Sequence, residues 1–439
     1  MYDEIRALDA LVARLRDQFP TLIDLSTGRI ERLLDKLGRP QDRLPNVIHV
    51  AGTNGKGSTT AFLRAMAEAA GLRAHVLTSP HLVRFAERIR LAGTLIAEPD
   101  LRVLIDRVVA VNAGDEISFN EMLTAIAFQA FAEVPADVTI VEVGLGGRFD
   151  STNVFATPAV SVITPVDYDH LEMLGPELSK IAWEKAGIIK PGRPVVVARQ
   201  MEAALEVIEA EAGRLAAPML LMGRDFDAWE SHGRLAVQAP DRLFDLPAPS
   251  LPGAHQFANA GAAVMAALSL GDPRLDEGAL GRGVASAVWP ARFQRLSAGP
   301  LAALAQARGA DLWLDGGHNP HAGRALAETL GRLAARDGRP TALIVAMYGR
   351  KDARGFFAPF ANLNPRVVVT GFEGQGVAPP EELAAAARAA GLATGVAPDA
   401  TQALTHLLAA EGPAPHVLIC GGLHFAGEIL AMSPDTWPT

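Results

Sequence analysis

Asn46-Val47-Ile48-His49-Val50-Ala51-Gly52-Thr53-Asn54-Gly55-Lys56-Gly57-Ser58-Thr59-Thr60 decides the fold of this chain. A short apolar run enters a glycine-rich turn that holds one lysine and a hydroxyl, and an alanine-rich helical pattern follows. The run predicts a buried strand, and the turn predicts a loop at its carboxyl end. The first N–H groups of the next helix are then free to face a ligand. Backbone N–H groups of a tight loop, with a lysine as a point charge, surround phosphate oxygens well. The spelling departs from the common phosphate loop, in which Ser or Thr follows the lysine directly. Here Gly57 follows Lys56, and Val50, Ala51 and Gly52 fill the upstream stretch. A plain glycine turn is the alternative, and Lys56 with Ser58 at the helix start weighs against it.

Outward from this loop, apolar runs alternate with helical patterns. Val47–Ala51, Ala74–Leu77, Val138–Val143, Ala159–Thr164 and Pro194–Ala198 read as buried strands, with helices such as Thr59–Ala70 and Asn120–Ala132 between them. Buried strands separated by helices predict an α/β fold with a doubly wound, mostly parallel sheet. Ligands collect at the carboxyl ends of such strands. The glycine loop lies there, and so do Thr78-Ser79-Pro80-His81, Glu142 to Arg148 and Thr164 to His170. Residues Glu202 to Leu251 are less regular and read as a peripheral extension, and a helix resumes at about His255–Leu270. A second α/β series follows, with strands expected at Asp311–Leu314, Thr341–Ala346, Pro365–Thr370 and His416–Cys420. The domain boundary is expected between Gln294 and Pro300, giving an ATP-binding-type domain over 1–295 and a smaller C-terminal α/β domain over 296–439.

The chain has 439 residues, enough for two or three domains. A formal net charge of −9 leaves no excess of Lys or Arg for general nucleic-acid binding. The one cysteine, Cys420, excludes an internal disulfide framework and any Cys-based zinc site, and its apolar run predicts a buried thiol. The segment Met1 to Ala10 carries acids early and reads as an amphipathic helix, not a signal peptide. No apolar stretch is long enough to cross a bilayer. A cytoplasmic monomer with small-molecule partners, and no nucleic-acid or membrane partner, is expected.

Several residues stand out chemically. Glu142 ends an apolar run, where a carboxylate needs a partner; a strand-end salt bridge or a magnesium site would each supply one. Gly144-Leu145-Gly146-Gly147-Arg148 follows as a glycine turn ending in a guanidinium. Phe149 stands where a dinucleotide fingerprint would need its last glycine. His170 lies beyond a strand among acids, and is either structural or a metal or phosphate ligand. Lys185 sits in an apolar helix end, where burial disfavours its charge unless Glu184 or another acid pairs with it. Asp315 and His318 lie in the loop Asp315-Gly316-Gly317-His318-Asn319-Pro320, which suits either a simple turn or contacts to ribose and phosphate.

Taken in order, these segments resemble the folylpolyglutamate synthase/dihydrofolate synthase family, within the Mur ligase superfamily. Ala51-Gly52-Thr53-Asn54-Gly55-Lys56-Gly57-Ser58 has that family's phosphate-loop spelling. Thr78-Ser79-Pro80-His81-Leu82 with Glu87-Arg88-Ile89, Val141 to Arg148 followed by Asp150-Ser151-Thr152-Asn153, Asp169-His170, Glu184 to Lys190, and His255-Gln256 with Asn259-Ala260 continue the likeness. The resemblance implies ATP held by Gly52, Thr53, Asn54, Gly55, Lys56, Gly57, Ser58, Asn259, Arg292 and Asp315. It implies magnesium, as two ions, on Ser79, Glu142 and His170, and a carbamylated Lys185. Lys56, Lys185 and His318 are the implied catalytic residues. His81, Ser118, Phe119, Asn120, Glu121 and Phe149 are the implied substrate contacts. The implied reaction joins L-glutamate to a dihydropteroate or reduced-folate carboxylate through an acyl phosphate, with domain closure before chemistry. Ala291 stands where glycine is common, Gly317 where alanine is usual, and Met347 to Asp352 lacks the first acid of a common Asp-Lys-Asp motif. A cell-wall Mur amide ligase and a P-loop ATPase without ligase activity are the rival readings.

Overall fold

The computed structural model describes residues 2–19 and 26–439. The expected N-terminal helix runs over Tyr2–Gln18, and Met1 lies outside the described residues. The chain divides into two compact units, Met1–Ser250 with Phe257–Val288, and Leu251–Gln256 with Trp289–Thr439.

The first unit is organised by an eight-stranded sheet. Its strands are β1 (Val47–Ala51), β2 (Ala74–Leu77), β3 (Ile89–Leu91), β4 (Thr94–Leu95), β5 (Val138–Glu142), β6 (Val160–Ile163), β7 (Val195–Val197) and β8 (Met219–Leu221), in the order β4-β3-β2-β5-β1-β6-β7-β8. The strands from β2 to β8 along the sheet are parallel, and β3 and β4 extend one edge antiparallel. Every residue of β1, β2, β5, β6 and β7 is buried, as expected for strands covered on both faces. Register fixes the site: Val50 lies opposite Glu142 on one side, and Ala51 opposite Ile163 on the other. The chain therefore leaves β1, β5 and β6 at the same level. The helix Lys56–Ala69 packs against Glu277–Ser286 so closely that a Cβ on Gly283 would overlap the Met66 backbone.

The extension read as irregular contains the helix Glu202–Arg214, β8, and a three-stranded antiparallel sheet of β9 (Asp227–Ser231), β10 (Arg234–Gln238) and β11 (Leu243–Leu246). These strands are short and half polar, so no continuous apolar run announces them.

The second unit is a six-stranded sheet of β12 (Gln294–Arg295), β13 (Asp311–Leu314), β14 (Thr341–Val345), β15 (Arg366–Val369), β16 (Thr394–Val396) and β17 (His416–Cys420), ordered β12-β13-β17-β14-β15-β16. All pairings are parallel except that of β12. Gln294 and Arg295, in the stretch expected as the boundary, form the edge strand β12, and the longer stretch of the second unit already begins at Trp289. Cys420, at the end of the central strand, is fully buried.

Candidate active site

The turn after β1 is shaped by two glycines. Gly52 has φ +149°, and a Cβ there would overlap the Thr164 side chain; Gly55 has φ +90°, with Asn259 Oδ1 only 2.6 Å from where its Cβ would lie. Glycine thus lets β6 and the buried Asn259 close on the loop. Thr53 fastens it further: its N–H donates to Pro165 O (3.0 Å), and its hydroxyl both donates to Asp167 O and accepts from Asp167 N–H, each at 3.0 Å. Lys56 folds back, its Nζ donating to Gly52 O at 3.0 Å and Thr53 O at 3.3 Å. Ser58 is buried in the first turn of the helix. Gly52, Thr53 and Lys56 line an open cleft, with Val143 to Gly146, Asp169, His170, Leu174 and Lys185 completing its wall.

Ser79 and His170 come from the loops that follow β2 and β6, and Glu142 from the end of β5. Glu142 is buried at the end of β5, and the Ser79 N–H lies 3.5 Å from its Oε2. Ser79 Oγ lies 3.5 Å from where a Cβ on Gly144 would stand, so that glycine leaves space beside the hydroxyl. His170 lines the cleft in left-handed backbone (φ 52°), its N–H donating to Asp169 Oδ1 at 2.8 Å. The structure brings Ser79 and Glu142 together and puts His170 on the cleft wall with Lys56 and Lys185. Among the described residues, no three His, Cys, Asp or Glu side chains converge as a closed cage. One carboxylate and one hydroxyl oxygen are instead the sparse, hard donor set that suits magnesium, which keeps waters and takes phosphate oxygens. The donors fit that ion.

Lys185 enters from the helix Leu178–Ala186. Gly147 and Gly187 allow the contact: a Cβ on Gly147 would lie 2.7 Å from Glu184 O, and one on Gly187 would overlap Arg148. Lys185 is 5% exposed, and its Nζ donates to Gly52 O at 3.0 Å, the same oxygen that receives Lys56. No carboxylate stands within ion-pair reach among the described residues, so the paired-lysine alternative does not hold. Burial first, and the Lys56 charge second, push its ammonium down to about 7.

Arg148 does not reach the cleft. Its guanidinium lies 4.0 Å from the Trp183 ring centroid and donates to Glu211 Oε1 at 2.8 Å, so it clamps the glycine turn to the helix. Asp150 holds the other side of the turn, accepting from Leu145 N–H (2.9 Å) and from Thr152 N–H and Oγ1 (3.0 and 2.6 Å). Thr152 Oγ1 in turn lies 2.9 Å from Nε2 of the buried His49, whose imidazolium burial pushes down to about 3. Glu211 gave no local signal, standing 63 residues from Arg148.

The implied substrate residues divide into two groups. Ser118 caps the helix Phe119–Glu133; its hydroxyl accepts from Glu121 N–H, while Glu121 Oε2 accepts from Ser118 N–H (2.7 Å) and Arg29 Nε (3.1 Å). Phe119 is a core side chain, with the Arg16 guanidinium 5.2 Å from its ring centroid. These three shape the turn, and the exposed Asn120 presents it to solvent. His81 accepts from Arg88 Nε at 2.8 Å, and the Phe149 ring lies 6.1 Å from the exposed Trp183.

In the second unit, Asp315 follows β13 and is buried. Its carboxylate accepts from Phe293 N–H (2.7 Å) and Gly317 N–H (2.6 Å), and burial pushes its carboxyl up. Arg292 donates to Ala291 O at 2.8 Å, and His318 Nδ1 lies 3.0 Å from Gly316 O. Gly317 is tighter than its small size suggests: a Cβ there would lie 2.9 Å from Ala322, Asp315 and Leu326 atoms. Asp352 caps the short helix Ala353–Phe357.

A phosphate loop on a buried parallel sheet, followed by a second parallel α/β unit, marks a nucleotide-binding α/β protein. Residues 50–267 match the Mur ligase middle domain, and residues 299–423 the Mur ligase glutamate ligase domain. The chain is 37% identical over 399 residues to dihydrofolate synthase/folylpolyglutamate synthase of Mycobacterium tuberculosis, covering 84% of this chain and 79% of that protein. It is 31% identical over 416 residues to the Escherichia coli enzyme of the same name, covering 93% and 91%. Among solved structures it resembles E. coli FolC in complex with DHPP and ADP (TM-score 0.85, 29% identity, 96% of both chains). The bifunctional enzyme crystallised with Mn, AMPPNP and L-glutamate is equally similar (TM-score 0.84, 29% identity, 97% of both chains). This chain belongs to the folylpolyglutamate synthase/dihydrofolate synthase family and is an ATP-dependent ligase. The glutamate ligase domain sets aside the ATPase without ligase activity, and the named relatives set aside the cell-wall enzyme.

Proposed function

We propose that this ligase joins L-glutamate to a dihydropteroate or reduced-folate carboxylate, acting as both dihydrofolate and folylpolyglutamate synthase. The observation that carries it is the cleft where Lys56 and Lys185 converge beside Ser79 and Glu142, in a chain whose residues 299–423 match a glutamate ligase domain. The substrate carboxylate attacks the γ-phosphorus of ATP, releasing ADP and leaving an acyl phosphate. The glutamate amine then attacks the acyl carbon, and phosphate leaves. No protein nucleophile is needed, so the residues work by positioning and by neutralising charge. The N–H groups from Gly52 to Ser58 and the Lys56 ammonium cradle the phosphates, with Asn259 against the loop. Arg292 and Asp315 take nucleotide contacts on the second unit, and His318, in the Asp315 loop, takes the catalytic role there. Magnesium, as two ions on a set that includes Ser79, Glu142 and His170, supplies neutralisation of phosphate charge. His81, Asn120 and Phe149 face the pterin substrate, and Ser118, Phe119 and Glu121 hold the turn that presents Asn120.

Lys185 acts as a carbamate. With its ammonium at about 7, roughly half the side chain is neutral amine at neutral pH. That amine adds to carbon dioxide, forming an N–C bond and releasing one proton. The +1 charge beside Lys56 becomes −1, so repulsion turns into attraction. The enzyme works as a cytoplasmic monomer.

ADP release with ATP, magnesium and L-glutamate, adding dihydropteroate or tetrahydrofolate in turn, tests the assignment. Glutamate-dependent turnover is expected with both, and product masses separate dihydrofolate formation from chain extension. No turnover with either substrate overturns it. Lys185→Ala is expected to lose most activity and regain part of it with small carboxylates; full activity without them removes Lys185 from the mechanism.

A further inference from the structure

The segment after β2 is held from inside by one carboxylate. Glu87 Oε2 accepts from Leu82 N–H at 2.8 Å, and Oε1 accepts from Val83 N–H at 2.9 Å and Arg84 N–H at 2.5 Å. Three successive N–H groups around an anion is the arrangement a backbone uses to bind a ligand anion; here the anion belongs to the chain. Burial pushes the Glu87 carboxyl above its ordinary range, and the three N–H groups oppose that push. The three hydrogen bonds offset the burial of this carboxylate and hold the turn in one shape.

The surroundings show what the turn controls. Thr78 N–H donates to Arg88 O at 3.0 Å and closes the segment at its base. Arg88 Nε donates to His81 Nδ1 at 2.8 Å, so that ring nitrogen is an acceptor, because a guanidinium only donates. The outer end is tied separately, by Arg84 to Glu98 at 3.1 Å. Between base and turn stands Ser79, whose N–H faces Glu142 Oε2 at 3.5 Å. The chain from Ser79 to Arg84 lies outside every strand and helix, and among the described residues Glu87 is the one side chain that fastens three of its N–H groups.

We propose that Glu87 is a positioning residue for the metal side of the site: by gathering the Leu82, Val83 and Arg84 N–H groups it fixes the turn that sets Ser79 against Glu142. The proposal rests on Ser79 and Glu142 being metal ligands. Glu87 acts on the site through the backbone N–H groups that it holds.

Glu87→Gln preserves shape but turns an amide NH₂ toward donors that need an acceptor. In the full-length protein, Mn²⁺ titrated into the AMPPNP complex and followed by electron paramagnetic resonance should half-saturate at about tenfold higher concentration, the loss of one charge-assisted hydrogen bond. AMPPNP binding without metal should change less than about twofold, since the phosphate loop lies on another strand. Hydrogen exchange of the amides of residues 82–84 should quicken, with or without metal. Glu98→Gln, which frees only the outer tether, should leave the Mn²⁺ half-saturation in place. Should Glu87→Gln fail to fold, Glu87→Asp shortens the reach and carries the same expectations. An unchanged Mn²⁺ half-saturation in the folded variant overturns the proposal, and so do unchanged amide exchange rates. Absence of Mn²⁺ binding to the unaltered protein overturns the metal assignment itself, and the role of Glu87 with it; exchange then still reports whether Glu87 grips the turn.

Discussion

Two loops of this molecule adopt left-handed backbone by opposite means. In the phosphate loop the positive φ values fall on Gly52 and Gly55, where neighbouring atoms occupy the Cβ positions. In the second unit they fall on Ala291 (φ 55°) and Phe293 (φ 45°), on either side of Arg292. Left-handed backbone costs a residue with a Cβ about 1–2 kcal/mol. The cost is borne because both side chains are wanted inside: Ala291 and Phe293 are buried, the Phe293 ring lies 5.0 Å from Trp313, and its N–H is held by Asp315. The phosphate loop is thus unstrained in its backbone and stores its tension in charge, as two lysines on one oxygen. The Arg292 loop stores tension in its dihedrals, beside a residue implied in nucleotide binding.

The contrast breaks most visibly at Gly52. Gly52→Ala places a methyl group inside the Thr164 side chain, so nucleotide affinity should fall about 100-fold or more, equivalent to about 3 kcal/mol of overpacking. Gly55→Ala meets the end of the Asn259 side chain, which has more room to yield, and should cost about tenfold. Calorimetric titration with ADP checks both, and normal affinity in Gly52→Ala would mean that the loop is not shaped by this contact.

Charge tension is read by pH. Lys185 is at about 7 in the folded chain and near its ordinary 10.5 when unfolded. Between those values the unfolded chain binds more protons, so stability rises with pH, by at most about 1.4 kcal/mol per pH unit for one group. Lys185→Met should flatten that slope in denaturant titrations at pH 7, 8 and 9 under carbon-dioxide-free conditions. An unaltered slope would place the ammonium elsewhere on the scale.

The smallest effect belongs to the strained loop. Ala291→Gly relieves left-handed strain but loosens the unfolded chain, leaving a net gain of up to about 1 kcal/mol and a rise in Tm of about 2–4 °C. Activity should stay close to that of the unaltered protein. A lower Tm would show that the Ala291 methyl group contributes more by packing than its backbone costs.

Much of this was legible in the chain. β1, β2, β5, β6 and β7 follow apolar runs almost residue for residue, because both faces of the sheet are covered and burial leaves no polar alternation. β3, β4, β8 to β12 and β16 were not legible, being two to five residues long and without a sustained apolar run. Element ends located the site, since Gly52 and Glu142 sit where an apolar strand stops and Lys185 where an apolar helix does. Arg148 shows where such reasoning fails: a guanidinium ending a glycine turn looks like a ligand contact until Glu211 and Trp183 claim it. Glu87 escaped because its partners are backbone N–H groups, which leave no mark in composition.

The shared carbonyl of Gly52 has a consequence for genetics. Lys56 and Lys185 lie 129 positions apart, yet both Nζ atoms sit 3.0 Å from one oxygen. A substitution at either one alters the charge the other feels, so their effects cannot add. Each lysine changed alone removes a like charge from its neighbour, and the double variant should be less impaired than the product of the two singles. The deviation of the double variant from that product measures how strongly the one carbonyl couples the two lysines.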